Sequence, residues 1–567
     1  KVTGVQTCAL PIFSNYKWIP IFSTIVSFFC AFGIGANDVA NAFGTSVGAK
    51  AISMKAALVV AGIFEFLGSF LMGSHVTGTI QKGISDPVMF VDEPETLMFG
   101  MCCVLIGVSA WLIIATLYSL PVSTTHSCIG GLVGMALVAK GWHAVQWIPV
   151  LRVVASWFIS PVLSGCITSL IFWIVRKYVL RTSNSFENAF RFYPLIIGFT
   201  LFVLSYFMLS QGLPNLPLHL SWYMKIVISI LIGVVLAVIL KFTAVPYLRR
   251  KIEREMKQEE EMKQANVTIA VEAPKAEQAD VAVFVEVPKN QEMASVEGAA
   301  EKSVLTTEKP VETVEKPVES VEKPVEKSTE TVEKPVEKPV ETKEVPIHEK
   351  NTMTHQNIHA ELTDEKSVVY QIHQRAEKFD PHTERIFSYL QVLTATLNSF
   401  AHGANDVANS IGPLASIIAI YKSGSVPLEG STVDTWILAM GGAGIVVGLA
   451  CLGYKVMAAI GVNMVTVTPS RGFAIEIGSA FVIVTGSQMG LPLSTTHCQV
   501  GSTVGIGLVE GKSSVNWKLV GQVIVGWAIT LLVCGITAGA IFAFAIFSPS
   551  RFHRSEERRV GKECRSR

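Results

Sequence analysis

The sequence predicts an all-α, polytopic membrane protein with about 12 transmembrane helices in two inverted repeats, some of them re-entrant or broken. Three observations lead there. Half of the 567 residues are hydrophobic and only 16% are charged, so a soluble chain of this length would lack polar surface. The apolar residues fall in runs of roughly 20 or more, the length that crosses a bilayer. Two polar words recur inside those runs, in the same order and at nearly the same spacing.

Seven apolar runs precede a polar middle, near residues 17–38, 55–74, 97–118, 121–140, 148–175, 192–210 and 222–242. Five follow it, near 386–412, 433–455, 472–490, 491–509 and 517–548. The fourth and eleventh are polar for spans and are read as broken hairpins. Residues 243–384 differ in kind. They open on Arg249, Arg250, Lys251 and Arg254 and run into repeats such as EKPVESVEKPVEKSTETVEKPVEKPVE. Proline every few residues forbids a long helix, and Glu and Lys without large apolar side chains form no core. The expectation is a disordered cytoplasmic loop. It divides the chain into an N-terminal membrane half, 14–242, holding one repeat plus extra helices, and a C-terminal half, 385–550, holding the other. Residues 1–13 and 551–567 match no feature of the spans they abut and read as adapter-derived additions.

Positive charge beside the spans sets orientation. Lys241, Arg249, Arg250, Lys251 and Arg385 flank the polar middle, which places it inside the cell. Counting outward from it puts Lys50, Lys55, Arg176, Lys177, Arg181, Arg191, Lys455, Arg471 and Lys512 inside, and the acidic stretch with Asp86, Asp92, Glu93 and Glu95 outside. A net charge of +1 points to no nucleic-acid partner. The cysteines are scattered without a CxxC pair, so buried thiols are expected rather than disulfides or a metal site.

The repeated words carry the chemistry. GIGANDVANAFGTSVGA, from Gly33, returns as AHGANDVANSIGPLASI, from Ala401; LPVSTTHSCIGG, from Leu120, returns as LPLSTTHCQVGS, from Leu491. The separation from Asp38 to His126 is 88 positions and from Asp406 to His497 is 91. An odd number of spans separates the two copies, so they run in opposite directions, the arrangement that lets one central site face each side in turn.

GANDVAN buries a carboxylate between two amides. A charge at membrane depth costs about 3 kcal/mol or more, so it needs a partner. Carboxylate, amide and backbone oxygens, loosened by Gly33, Gly35 and Gly403, make a hard-oxygen cage for Na⁺ or a carried proton. Asn37, Asp38, Asn405 and Asp406 are therefore assigned to cation binding, with Asn41 and Asn409 on the same helix faces. The Ser-Thr-Thr runs need the opposite chemistry. Pro121 and Pro492 stop one helix, and Ser or Thr caps the next. A helix N-terminus carries partial positive charge and free N–H groups. Ser123, Thr124, Thr125, Ser494, Thr495 and Thr496 are the expected oxyanion ligands. No fixed cation lies in the motif, so bound cations would neutralise the anion and couple the two. Glu65 and Glu476 sit in apolar runs and are assigned to the ion path. His126 and His497 read as hydroxyl orienters or structural histidines, His402 as a mark of asymmetry because Ile34 is its counterpart, and Arg152 and Arg471 as interfacial anchors.

These residues resemble the inorganic phosphate transporter (PiT) family, over roughly 17–242 and 386–548. The likeness rests on the doubled GANDVAN, PVSTTH and PLSTTH, VTGTIQKGI from Val76 and TPSRGFAIEIGSA from Thr468. It implies import of inorganic phosphate coupled to Na⁺, or H⁺ in some members, with no enzyme activity and no other cofactor. Asp38 and Asp406 then look like the cation-coupling aspartates, Glu65 and Glu476 like transport-critical glutamates, and the two hydroxyl runs like phosphate-binding helix ends. The expected setting is the plasma membrane, with an organellar membrane open; homo-oligomers are open too. Another tetrahedral oxyanion such as sulfate or arsenate, or a channel or receptor-like scaffold, are the alternatives. No HExxH, GxSxG or P-loop supports an enzyme.

Overall fold

The computed structural model describes residues 14–83, 86–211, 220–272, 359–428, 433–488 and 493–565. All regular structure among them is helical. In the first half the helices are α1 (Trp18–Asn37), α2 (Val39–Gly48), α3 (Met54–Gly83), α4 (Pro94–Leu117), α5 (Thr124–Lys140), α6 (Trp147–Val175), α7 (Ser185–Gln211) and α8 (Trp222–Phe242). Then come α9 (Ala244–Glu272) and α10 (Val368–Arg375). The second half holds α11 (Pro381–Asp406), α12 (Ala408–Ser423), α13 (Thr435–Leu452), α14 (Tyr454–Ala458), α15 (Pro469–Gln488), α16 (Thr495–Glu510) and α17 (Trp517–Arg565). Eight helical stretches among the described residues are long and apolar enough to cross a membrane.

The two halves exchange partners. Gly444 and Gly448 of α13 pack on Phe28 and Phe32 of α1, so these helices run parallel. On the other side, Ser69 of α3 donates to the Gly403 carbonyl of α11 at 3.0 Å, and Gly73 faces Val407. Gly130 and Gly134 of α5 meet Leu531 and Gly535 of α17, while Gly501 and Gly505 of α16 meet Pro161 and Gly165 of α6. Small residues allow this close approach in lipid, where burial of apolar surface does not drive helices together. Each half therefore lends one helix, α3 or α13, and its hydroxyl helix, α5 or α16, to the other.

The duplicated stretches run in opposite directions. Asp38 lies beside Asp406, while Thr45 and Thr394 share the Glu476 carboxylate. Residue numbers rise along α1–α2 as they fall along α11, which is the inverted repeat expected from the span count.

The fourth and eleventh apolar runs form the returning arms of helical hairpins, as their polarity led us to expect. α4–α5 and α15–α16 are helical hairpins, each stapled at its open end by an ion pair: Lys140 with Glu93 at 2.9 Å, and Arg471 with Glu510 at 2.8 Å. Their tips touch, with Thr496 Oγ1 lying 3.2 Å from the Val122 carbonyl oxygen. Two hairpins from opposite faces whose tips meet must both turn back inside the molecule. A re-entrant hairpin leaves and returns on one side, as two full crossings would, so the predicted sidedness is the same on either count.

Three expectations change. Arg471 is no interfacial anchor: it is fully buried, bonded to Glu510, to Thr468 Oγ1 and to the Glu377 carbonyl. A buried guanidinium fits such a site because four of its five N–H donors are taken. The polar middle is not loop at its ends, since α9 buries Leu248 and Ile252 and α10 buries Val369 and Ile372. α9 is also pinned through Glu255 and Glu259 to Arg385. Residues Gln264–Met353 separate as a unit, described only as far as Glu272; the repeats beyond fall outside the described residues, as do residues 1–13. Finally, the motif glycines do not unwind the helix. A Cβ on Gly35 would stand 1.8 Å from the Ile445 carbonyl oxygen and one on Gly403 would stand 2.3 Å from that of Glu65, so both are there for close packing. Among the described residues Cys30, Cys102, Cys103, Cys128, Cys498 and Cys534 are free and buried, and Cys166 and Cys451 are free and exposed.

Candidate functional site

Both GANDVAN helices break at a single residue. The turn tightens at Asp38, where Asn41 N–H reaches the Asp38 carbonyl at 2.9 Å, and at Val407, where Ser410 N–H does the same at 3.1 Å. The break turns Asp38 and Asp406 inward, both nearly fully buried. The hairpin tips close on them from either side. Ser123 begins α5 and Ser494 begins α16, each side chain accepting from the backbone N–H three residues on, at 3.3 and 3.4 Å. These are the N-caps the sequence led us to expect, with an extended backbone at the cap. Pro492 lies outside the described residues.

With the serines committed to capping, the threonines meet the aspartates. Thr124 donates to Asp38 Oδ2 at 2.8 Å and Thr496 to Asp38 Oδ1 at 3.0 Å. Thr495 donates to Asp406 Oδ2 at 3.0 Å. Asn41 donates to Thr496 at 3.0 Å, and Asn409 to Thr124 at 3.2 Å and Asp406 Oδ1 at 3.2 Å. Thr125, half-buried, receives a longer contact from Asn409 at 3.4 Å. Asn41 Oδ1 is buried with no partner among the described residues, which leaves one oxygen free for a cation.

The glutamates are brought to opposite flanks. Glu476 is fully buried and accepts three hydroxyls, from Thr45 at 2.6 Å, Ser46 at 2.9 Å and Thr394 at 2.5 Å. Glu65, also fully buried, lies 2.9 Å from His402 Nδ1, whose Nε2 lies 2.7 Å from Asp406 Oδ2. The asymmetry expected of His402 is thus a bridge that Ile34 cannot make in the first repeat. One ligand atom each from Asp38, His402 and Asp406 lies within 4.8 Å of the others, close enough to share a metal ion.

Not every motif residue faces this centre. Asn37 clamps the hairpin tip: its amide donates to Thr116 and to the Leu120 carbonyl, and its oxygen accepts Val122 N–H at 2.9 Å. Its polar atoms are spent on the loop rather than left for a cation. Asn405 is half-buried, and the loop that would mirror the Asn37 clamp lies outside the described residues. His126 and His497, each the residue after the second threonine, face one another with ring centroids 4.7 Å apart and no hydrogen-bond partner on their ring nitrogens among the described residues. They orient no hydroxyl. Thr45, Ser46 and Thr394 were missed in the sequence. The first two follow Asp38 by seven and eight positions, the helical period that returns a side chain to one face, and that signal could have found them.

The sequence pattern described as the phosphate transporter family matches residues 34–538. Sodium-dependent phosphate transporter 2 of Homo sapiens is 31% identical, over 94% of this chain and 98% of its own. The phosphate-repressible phosphate permease pho-4 of Neurospora crassa is 31% identical, over 95% and 99%. A solved structure titled the sodium-dependent phosphate transporter superposes with a TM-score of 0.64 at 29% identity, covering 92% of this chain and 98% of that one. A doubled, inverted Asn-Asp motif, met by hydroxyl-bearing hairpin tips, together with likeness along nearly the whole chain, leads to one conclusion: this protein belongs to the phosphate transporter family.

Proposed function

We propose that the chain imports inorganic phosphate by alternating access, drawn by Na⁺, with Asp38, Asp406, Asn41 and Asn409 on the cation side and Thr124, Thr125, Thr495 and Thr496 on the anion side. One observation carries the reading. The threonines at both hairpin tips donate to the very carboxylates assigned to the cation. While the carboxylates are bare, the hydroxyls are held by them and two negative charges face the cavity that phosphate must enter. Cations over Asp38 and Asp406 release the hydroxyls and cancel the repulsion, so the anion follows the cation. That order is the physical basis of coupling. Ser123 and Ser494 support the site as caps, aiming the N–H groups of α5 and α16 at the same point.

The repeat supplies the alternation. Hairpins entering from opposite faces meet at one centre, so each can withdraw to open its own side. Na⁺ is favoured over H⁺ by the oxygens gathered at Asp38, those of Thr124 and Thr496 beside its own carboxylate. The His402 bridge favours no second coupling ion by itself. The plasma membrane is the setting that import requires.

Radiolabelled phosphate uptake into proteoliposomes of the full chain, with Na⁺, K⁺ and pH gradients imposed one at a time, tests the reading. Uptake driven by the Na⁺ gradient alone is expected. Uptake driven equally by K⁺, or competed away by sulfate, would reject it.

A further inference from the structure

Helices α7 and α8 stand outside the duplicated units, and α8 packs on little besides α7. They touch where Gly233 meets Gly198: a Cβ on Gly233 would lie 2.6 Å from the Gly198 carbonyl oxygen. Around that contact a groove of about 450 Å³ opens outward, within the range of ligand sites. Its walls are Leu195, Phe199 and Phe202 of α7 and Ile230, Val234 and Val238 of α8. Leu195 and Val234 are more than half exposed.

One end of the groove differs from the rest. Lys241 lines it there, beside Pro194. Arg191 is exposed one helical turn before Pro194, and Arg250 is exposed about two turns into α9. None of the three has an ion-pair partner among the described residues, whereas nearby Arg249 is paired with Glu187 and Glu253. An apolar slot ending in unpaired cations at a membrane face has the complementarity of a lipid with a negative headgroup. A neutral headgroup would leave those charges unanswered.

We propose that the groove between α7 and α8 binds an anionic phospholipid, one acyl chain lying along Leu195, Phe199 and Val234 and the phosphate-bearing headgroup on Lys241, with Arg191 and Arg250 in support. The bound lipid covers the face of α8 that the protein itself leaves open. This site is separate from the Asp38–Asp406 centre and does not depend on which ion is carried.

The test is lipid retention by the full chain in detergent, read by native mass spectrometry after exchange against dioleoyl phosphatidylserine or dioleoyl phosphatidylcholine. The wild-type chain should retain the serine lipid in preference. Lys241→Gln should weaken that retention about fivefold, the worth of one juxtamembrane cation, and leave the choline lipid unchanged. Leu195→Trp, at an exposed position that tolerates bulk, should reduce retention of the serine lipid by filling the slot; Val234→Trp repeats the test from the other wall. Equal retention of the two lipids by the wild type, or no response to Lys241→Gln, would overturn the proposal. So would a Trp variant that keeps its lipid and instead changes oligomeric mass, because the face would then be a contact between copies.

Discussion

The substitution Asp38→Asn separates the two things the Asp38 charge does. The Asp38 and Asp406 ligand atoms lie within 4.8 Å. Two unit charges at that distance, with an effective dielectric of about 20, repel by about 3.5 kcal/mol. That strain is present only while no cation lies between them. An amide in place of the carboxylate keeps the shape, and its oxygen can still accept from Thr124 or Thr496. The cation-free variant should therefore be more stable than the parent, with an unfolding midpoint raised by several degrees in choline buffer. A cation about 4 Å from the carboxylate gains about 4 kcal/mol from it at the same dielectric. Losing that should weaken Na⁺ binding about a thousandfold. Thermal unfolding of the purified chain across a Na⁺ titration reads both numbers. The parent should be stabilised by Na⁺ and the variant should not, with phosphate uptake lost. A variant with the parent's Na⁺ midpoint would show that Asp38 does not hold the cation, and the coupling argument would fail with it.

Four more outcomes follow from the same geometry. Glu476→Gln puts an amide donor among three hydroxyl donors, so transport should fall sharply, at a stability cost of about 1–3 kcal/mol in denaturant melts. Glu510→Gln leaves Arg471 buried with a weakened partner and should cost about 3–5 kcal/mol; the matching change Glu93→Gln, at the half-exposed staple, should cost under about 1 kcal/mol. Gly461→Val should abolish insertion or activity, because even a Cβ there would stand 1.9 Å from the Gly44 carbonyl oxygen, and a protease-protection assay will separate the two. Glu377 is pushed up by partial burial but pulled down further by Arg181 and Arg176, so its net value lies below the ordinary carboxylate range. Its contribution to stability is complete above that ordinary range and disappears as pH falls through the lowered value. Glu377→Gln should flatten the acid limb of the melting profile and leave the neutral plateau lower.

The repeat, its inversion and the residue types at the centre were all legible, because a buried Asp between amides and a Ser-Thr-Thr run two positions after a Pro each have few physical uses in a membrane. The crossing of partners was not. Thr496 serves Asp38, and Asn409 serves Thr124, across separations of 458 and 285 positions. Nothing in a linear pattern ranks such pairs above those within one repeat. The Asn37 clamp was hidden for a related reason: an amide suits a loop carbonyl as well as it suits a cation, and only the position of the hairpin tip decides. Arg471 misled because an arginine near the end of an apolar run usually reaches water; its partner Glu510 stands at the far end of the returning helix. The glycines misled too, since their lack of a side chain serves packing here rather than unwinding.

The exchange of helices between halves has a consequence for how such a molecule could arise. Neither repeat folded alone would contain the site, since α5 rests on α17, α16 rests on α6, and Asp38 takes its second hydroxyl from the other half. A primitive chain holding one repeat could have built this centre only by inserting into the bilayer both ways up and pairing with its own upside-down copy. Split between α8 and α11 into two polypeptides, the present protein should work only when both pieces are made together.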